Sequence, residues 1–407
     1  MAMAAERAQE PRTHLSPRLQ RLGEITAVAA LVLAGAATVP RLVCGRDADA
    51  FWQSDPRVQE PLAAEVAAYV RAGVGPESFS TGDPRFDGEW ALVTHQMAAL
   101  GLGQLILQHP ELRATYLPVV ALCAERLLAP ETTAFGRAAW GEDALRAPAT
   151  PNGHAYLGYA NLALSMLTLL DPTHPLAGTN DRLTEAFARR LAAAPHGMLE
   201  TYPGEAYPAD MAAVVGSIGL HDRARRETHR EGLLRDATAA LTARYLHRPS
   251  GMFHQRVDAH AGAPLGPPRA SGTAIAAYFL SFADQDLARR VFAGIASHQR
   301  ARFLGFGGVR EYPDGEAGLG DIDSGPVLFG VSVSATGFSL AGARLTGERA
   351  MFVDLFRTAE LFGLTGRGPA GGRRFLSGGP LGNALLLAMM TAGPAAAPLP
   401  PAPGRLP

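Results

Sequence analysis

The chain has 407 residues, of which 47% are hydrophobic and only 18% charged, with a net charge of −1; core material is ample and the basic footprint of a nucleic-acid binder is missing. All 37 basic residues are arginine, which excludes lysine Schiff-base chemistry and a P-loop lysine. Cys44 and Cys123 stand far apart with no metal or redox spacing, and Cys123 lies in the apolar run 117–128, where a small core residue is expected.

Residues 1–24 are polar and arginine-bearing, and 25–40 carry no charge. That run falls short of the roughly 20 residues that span a bilayer comfortably. Arginines on its N-terminal side favour an inside N-terminus if it inserts. No small-residue cleavage site stands out, so an uncleaved membrane anchor over 25–43 is expected in preference to a removed signal peptide, with a buried first helix as the competing reading. An exported or envelope protein follows from the first reading, a cytoplasmic one from the second.

Beyond residue 55 the pattern is helix after helix, broken by Pro and Gly loops. Apolar-periodic segments fall at 61–72, 89–108, 111–128, 154–170, 181–194 and 210–220, then at 231–245, 271–282, 285–299, 327–343, 347–361 and 381–391. Alternation of the strand type is confined to patches such as 251–257 and 305–312. Twelve helices with short connections pair as six hairpins, which predicts an all-α fold, the (α/α)6 toroid, as a single domain over 55–392. An open solenoid is the alternative, and no strict repeat supports it. The Pro- and Ala-rich tail 393–407 has no periodicity and is expected to be disordered.

A toroid gathers its chemistry in the loops at one rim, and five clusters qualify. Thr201-Tyr202-Pro203-Gly204-Glu205-Ala206-Tyr207-Pro208-Ala209-Asp210 is a turn-rich loop feeding an apolar helix and loaded with proton-transfer groups. Asn152-Gly153-His154 opens a helix beside Tyr156 and Tyr159, where the helix dipole would keep the imidazole neutral. Arg310-Glu311-Tyr312-Pro313-Asp314 precedes Asp321-Ile322-Asp323-Ser324-Gly325, in which mutual repulsion of two acids would hold one protonated. Glu89-Trp90 and Trp140-Gly141-Glu142-Asp143 set acids beside tryptophan, and helix capping is the expected role of those acids. No spacing argues for a metal or nucleotide site, so cofactor-independent acid–base chemistry is expected.

From Trp140 to Phe338 the order and spacing resemble the linalool dehydratase/isomerase family. Trp140-Gly141, Gly153-His154-Ala155-Tyr156-Leu157, His196-Gly197-Met198 leading to Thr201–Ala212, Gly251-Met252-Phe253 and Asp321-Ile322-Asp323-Ser324-Gly325 carry the likeness. The resemblance implies an (α/α)6 barrel, an active-site histidine at His154, dehydration or isomerisation of a terpene alcohol, and export. It departs at the family's catalytic cysteine pair, where this chain has Thr201 and Asp210.

Together these readings predict a lyase, isomerase or cyclase acting on a small hydrophobic, terpenoid substrate. Asp321 or Asp323 would be the acid and Asp210 or Glu205 the base, with His154 and Tyr207 orienting the reacting hydroxyl. Thr201, Tyr202, Trp90, Trp140, Tyr156, Phe253, Tyr312, Arg310 and Asp314 are expected to line the substrate. A carbohydrate-active (α/α)6 enzyme is the alternative, since paired carboxylates serve glycoside hydrolysis or epimerisation, and a non-catalytic envelope binding protein is the third reading. Membrane attachment and homo-oligomerisation are left open.

Overall fold

The computed structural model describes residues 17–145 and 153–393. The segment 1–16, the loop 146–152 with Asn152, and the tail expected to be disordered lie outside the described residues, apart from Gly393. Helix α1 (Pro17–Cys44) belongs to a unit of its own that ends at Val43, and its Ile25, Val28, Leu31 and Val32 are exposed.

From Cys44 onward the chain forms one unit. It opens with α2 (Ala48–Trp52), α3 (Pro56–Ala72), α4 (Pro84–Gln108), α5 (Arg113–Leu127) and α6 (Ala134–Trp140). Next come α7 (Leu157–Leu170), α8 (Ala177–Ala193), α9 (Pro208–Arg225), α10 (Glu231–Tyr245), α11 (Ala270–Leu280) and α12 (Gln285–His298). The series ends with α13 (Val333–Thr346), α14 (Arg349–Gly363) and α15 (Gly379–Thr391).

Two kinds of helix divide the work. Helices α4, α7, α9, α11, α13 and α15 are apolar or small on nearly every face and are buried along their length, as a helix needing neighbours all round must be. They pack in the cyclic order α4–α7–α9–α11–α13–α15–α4, which closes the ring. Their hairpin partners α5, α8, α10, α12 and α14 lie outside, and α3 covers α15 from the other end of the chain. Helices α8, α12 and α14 alternate a buried stripe with a charged face, as a solvent-covering layer should. The fold is the (α/α)6 toroid. By length and apolarity α4 would cross a membrane, but it is mostly buried inside the protein.

The hydroxyl of Tyr278, near the end of α11, bonds Gln104 near the end of α4 at 3.1 Å. That bond ties two inner helices together at their C-terminal ends. Each inner helix returns through an outer one, so the inner helices run parallel and their N-termini gather at the opposite rim.

Short strands decorate the connections: β1 (Glu205–Ala206), β2 (Leu246–His247), β3 (Met252–Asp258), β4 (Pro264–Pro268), β5 (Arg300–Phe303) and β6 (Phe306–Arg310), then β7 (Val327–Leu328), β8 (Val331–Ser332), β9 (Thr365–Arg367) and β10 (Arg373–Phe375). Strands β1, β2 and β4 all pair antiparallel with β3, and a second sheet has the order β5-β6-β8-β7. The expected helix 327–343 starts only at Val333. Ahead of it Phe329 (φ +51°) and Gly330 (φ +81°) turn the chain into the β7–β8 hairpin, and Ser332 caps the helix by accepting from Ala335 N.

Candidate active site

At the rim where the inner helices begin, three carboxylates converge. Glu89 comes from the first turns of α4, Asp210 from the first turn of α9, and Asp323 from the loop before β7. The Tyr202 hydroxyl donates to Glu89 Oε1. Burial pushes the Glu89 carboxyl up to about 8 against that bond, with the charges of Asp323 and Asp210 adding to the shift. Asp210 accepts from the hydroxyls of Tyr159 at 2.6 Å and Thr201 at 2.5 Å. Its pKa is raised by burial, which these two bonds oppose. Asp323 is pushed up to about 6 by burial first, then by the charges of Asp321 and Asp210. Water still reaches its exposed edge, so it lies in a concave site with protein crowding most sides.

The surrounding loops fix this geometry. Gly153 lies flat against Glu200, where a Cβ would come within 2.1 Å of the carbonyl oxygen, and Ala155 N donates to that same oxygen. Between them His154 takes a left-handed conformation (φ +53°), ahead of α7 rather than inside it. Its Nε2 lies 2.6 Å from Glu142 Oε1, and its ring packs 4.4 Å from that of Trp140. Burial, more than a helix dipole, holds His154 below its ordinary pKa, against the pull of Glu142. Trp140 Nε1 donates to Thr201 O at 3.0 Å, so this group anchors the residue that clamps Asp210.

Asp321 does a different job from the one expected of it. Arg269 grips it with two nitrogens and holds Glu311 with a third, while Asp321 Oδ1 accepts from the backbone N–H groups of Asp323 and Ser324. Burial works to raise its pKa, and the arginine overrides that and keeps it below the usual range. It shapes the loop and stays ionised; of the two acids, Asp323 is the one whose pKa is raised.

The other expected residues divide in two. Tyr207 bonds Glu205 at 2.7 Å, and its pKa is raised by burial, then by Glu205 and Asp210. Tyr156 is buried and stacks parallel to Tyr202, and Tyr312 lies beside the Arg269 guanidinium. Four are not drawn into the cluster. Phe253 is a core side chain, Trp90 turns edge-on to Phe79, and Arg310 pairs with Asp314 at 2.6 Å on the surface.

Sequence reasoning gave Glu89 and Glu142 capping roles and left Tyr159 without one. The cue was available for Glu89: an acid one turn into an unusually apolar helix has no cap to make. The metal-capable cluster found among the described residues, His221, Asp222 and Glu227, sits about 18 Å along α9 from Asp210. Arg230 already binds Asp222 and Glu227 there, and Asp181 binds His221.

No family model and no curated protein sequence matches the chain. Among solved structures it resembles the GH76A α-1,6-mannanase of Salegentibacter sp. HEL1_6 (14% identity, TM-score 0.47, 81% of this chain and 98% of that one). It also resembles a polysaccharide lyase (12%, 0.48, 74% and 89%) and the GH76 α-mannanase of Bacteroides thetaiotaomicron (9%, 0.45, 74% and 85%). Likenesses this distant assign no activity and no residue.

The resemblance to linalool dehydratase/isomerase is not borne out: no family model matches the chain, and the solved structures named above are two GH76 α-mannanases and a polysaccharide lyase, none of that family.

Proposed function

We propose that the chain is a carbohydrate-active hydrolase that cleaves glycosidic bonds, with Glu89 as general acid and Asp323 as general base or nucleophile. The observation that carries this reading is the splitting of neighbouring carboxyls. With a pKa of about 8, Glu89 holds a proton at neutral pH, while Asp323, at about 6, is mostly ionised. That is the division of labour glycoside hydrolysis needs: one carboxylic acid protonates the leaving oxygen, and one carboxylate activates water or attacks carbon. Tyr202 steadies Glu89, and Asp210, clamped by Tyr159 and Thr201, tunes the field at both.

The same geometry weighs against a terpenoid reaction. Tyrosine and threonine hydroxyls bond the carboxylates and Asp323 meets water, an environment suited to a hydroxylated substrate. The exposed apolar side chains of α1 fit a protein held at the cell envelope, where glycans are met.

The test is a panel of α- and β-linked oligosaccharides and polysaccharides, with product sugars quantified for the wild type, Glu89→Gln and Asp323→Asn. Turnover by the wild type and a loss of roughly 10²–10⁴-fold in each isosteric variant is expected. An inert wild type, or variants as active as the parent, would sink the assignment.

A further inference from the structure

Two of the three clustered carboxylates are held by other side chains: Glu89 by Tyr202, and Asp210 by Tyr159 and Thr201. The Asp323 side chain makes no hydrogen bond or ion pair among the described residues. Its position is therefore set by its backbone, and that backbone is wound around Asp321. Asp321 Oδ1 accepts from Asp323 N at 3.1 Å and from Ser324 N at 3.0 Å, while Ser324 Oγ accepts from Asp321 N at 2.9 Å.

Arg269 holds Asp321 from the other side. Its two terminal nitrogens take one Asp321 oxygen each, and its Nε donates to Glu311 Oε1 at 2.7 Å. The arginine is buried and its own backbone is fixed: Arg269 N donates to Phe253 O on β3 at 3.0 Å, and Arg269 O accepts from Thr273 Oγ1 at 2.6 Å. Glu311 is fixed too, by Ser271 Oγ at 2.6 Å and, through its carbonyl, by Ala270 N at 2.9 Å. The planar fork of the guanidinium is thus spent on two protein carboxylates, one of which carries the loop that presents Asp323.

We infer that Arg269 is a positioning residue for Asp323: through Asp321 it sets where the unpartnered carboxylate stands, and its charge balances the acids around it. The inference deepens the hydrolase reading and rests on it for the role of Asp323. The acids that act on Asp323 are Asp321 on its own loop, Asp210 on α9, Glu89 on α4 and Glu311 after β6; Tyr159 of α7 feels its charge, and Arg269 is the cation set against them. Removing that cation makes the ionised form of Asp323 costlier, so its pKa rises; removing the charge of Asp321 acts with the opposite sign. A residue that only stiffened the loop would not produce this pair of opposite shifts.

The experiment is a carboxyl-carbon NMR titration of the full-length protein with labelled aspartate, the Asp323 signal being identified by its loss in Asp323→Asn. It compares the wild type with Arg269→Gln, Arg269→Lys and Asp321→Asn, all checked by thermal melts. The Asp323 midpoint should rise by about one pH unit in Arg269→Gln, fall in Asp321→Asn, and stay near the parent's in Arg269→Lys, which keeps the charge. Steady-state kinetics on the glycoside that the wild type turns over fastest supplies the second readout. Arg269→Lys loses the fork that holds both Asp321 oxygens, so kcat should fall by on the order of tenfold while KM changes little. An Asp323 midpoint that stays put in Arg269→Gln and Asp321→Asn, or moves the same way in both, overturns the inference. If Arg269→Gln does not fold, the absence of a fall in Asp321→Asn overturns it alone. The titration needs no turnover, so a protein inert on every glycoside would sink the hydrolase reading while the midpoints still decide what Arg269 does to Asp323.

Discussion

Glu89 and Asp323 show how little a residue's neighbours in sequence say about its proton. Both are ordinary carboxylic acids set apart by what surrounds them: Glu89 is more buried in effect and bonded to Tyr202, while Asp323 keeps an open edge. On the proposed assignment kcat/KM should be bell-shaped. The base must be deprotonated, so the acidic limb rises through about 6; the acid must be protonated, so the alkaline limb falls through about 8. The two groups interact, so the limbs report the pair's apparent values. In Glu89→Gln the residual activity should lose its alkaline limb and keep its acidic one; an alkaline limb unmoved by that change would assign the acid to another group. The acids at 321 and 323 could be read from sequence as a coupled pair. Which of them would be gripped by Arg269 could not, because Arg269 arrives from a different hairpin 52 residues earlier.

Twelve helices were legible as long apolar segments separated by Pro, Gly and polar loops, signals that need no tertiary knowledge. The rim strands were mostly illegible: pieces of two or three residues carry no readable alternation, and β7–β8 exists because of a turn and a partner strand, β6. Glycines were visible as loop breakers, yet some act in helix packing. At Gly158 on α7 a Cβ would sit 2.9 Å from Val214 N and 2.8 Å from its Cγ2, so α7 meets α9 almost backbone to backbone. Tyr159, the next residue, reaches Asp210 one turn before Val214 only because of that approach. Gly158→Ala should force the helices apart and cost about 1–3 kcal/mol of stability. It should also lower kcat, because Asp210 loses a donor; calorimetry beside kinetics would show both effects. A variant as stable and active as the parent would mean that the two helices tolerate separation.

Closing a ring of helices requires that the last meet the first, and the chain solves this with polar groups whose partners are nearly 300 residues away. Gln104 on α4 donates to Ala388 O at 2.9 Å and Thr391 Oγ1 at 3.1 Å on α15. Arg344, from the end of α13, donates to Ala392 O, to Phe51 O and Trp52 O at the end of α2, and to Ser54 Oγ. One guanidinium therefore gathers an inner helix, the start of the folded unit and the end of the last helix, and its burial pulls its pKa down to about 10. No local pattern announces such a residue; an arginine near a helix C-terminus reads as an ordinary dipole partner. Arg344→Met keeps the aliphatic stem but strands three backbone carbonyls at a buried junction. It should cost on the order of 3–5 kcal/mol and lower the melting temperature by several degrees. The carboxylates lie at the opposite rim, so the pH dependence of the remaining folded enzyme should be unchanged. A melting temperature equal to the parent's would show that α15 is held by apolar packing alone. A shifted pH profile would show that the seam and the carboxylate cluster are coupled through the inner helices.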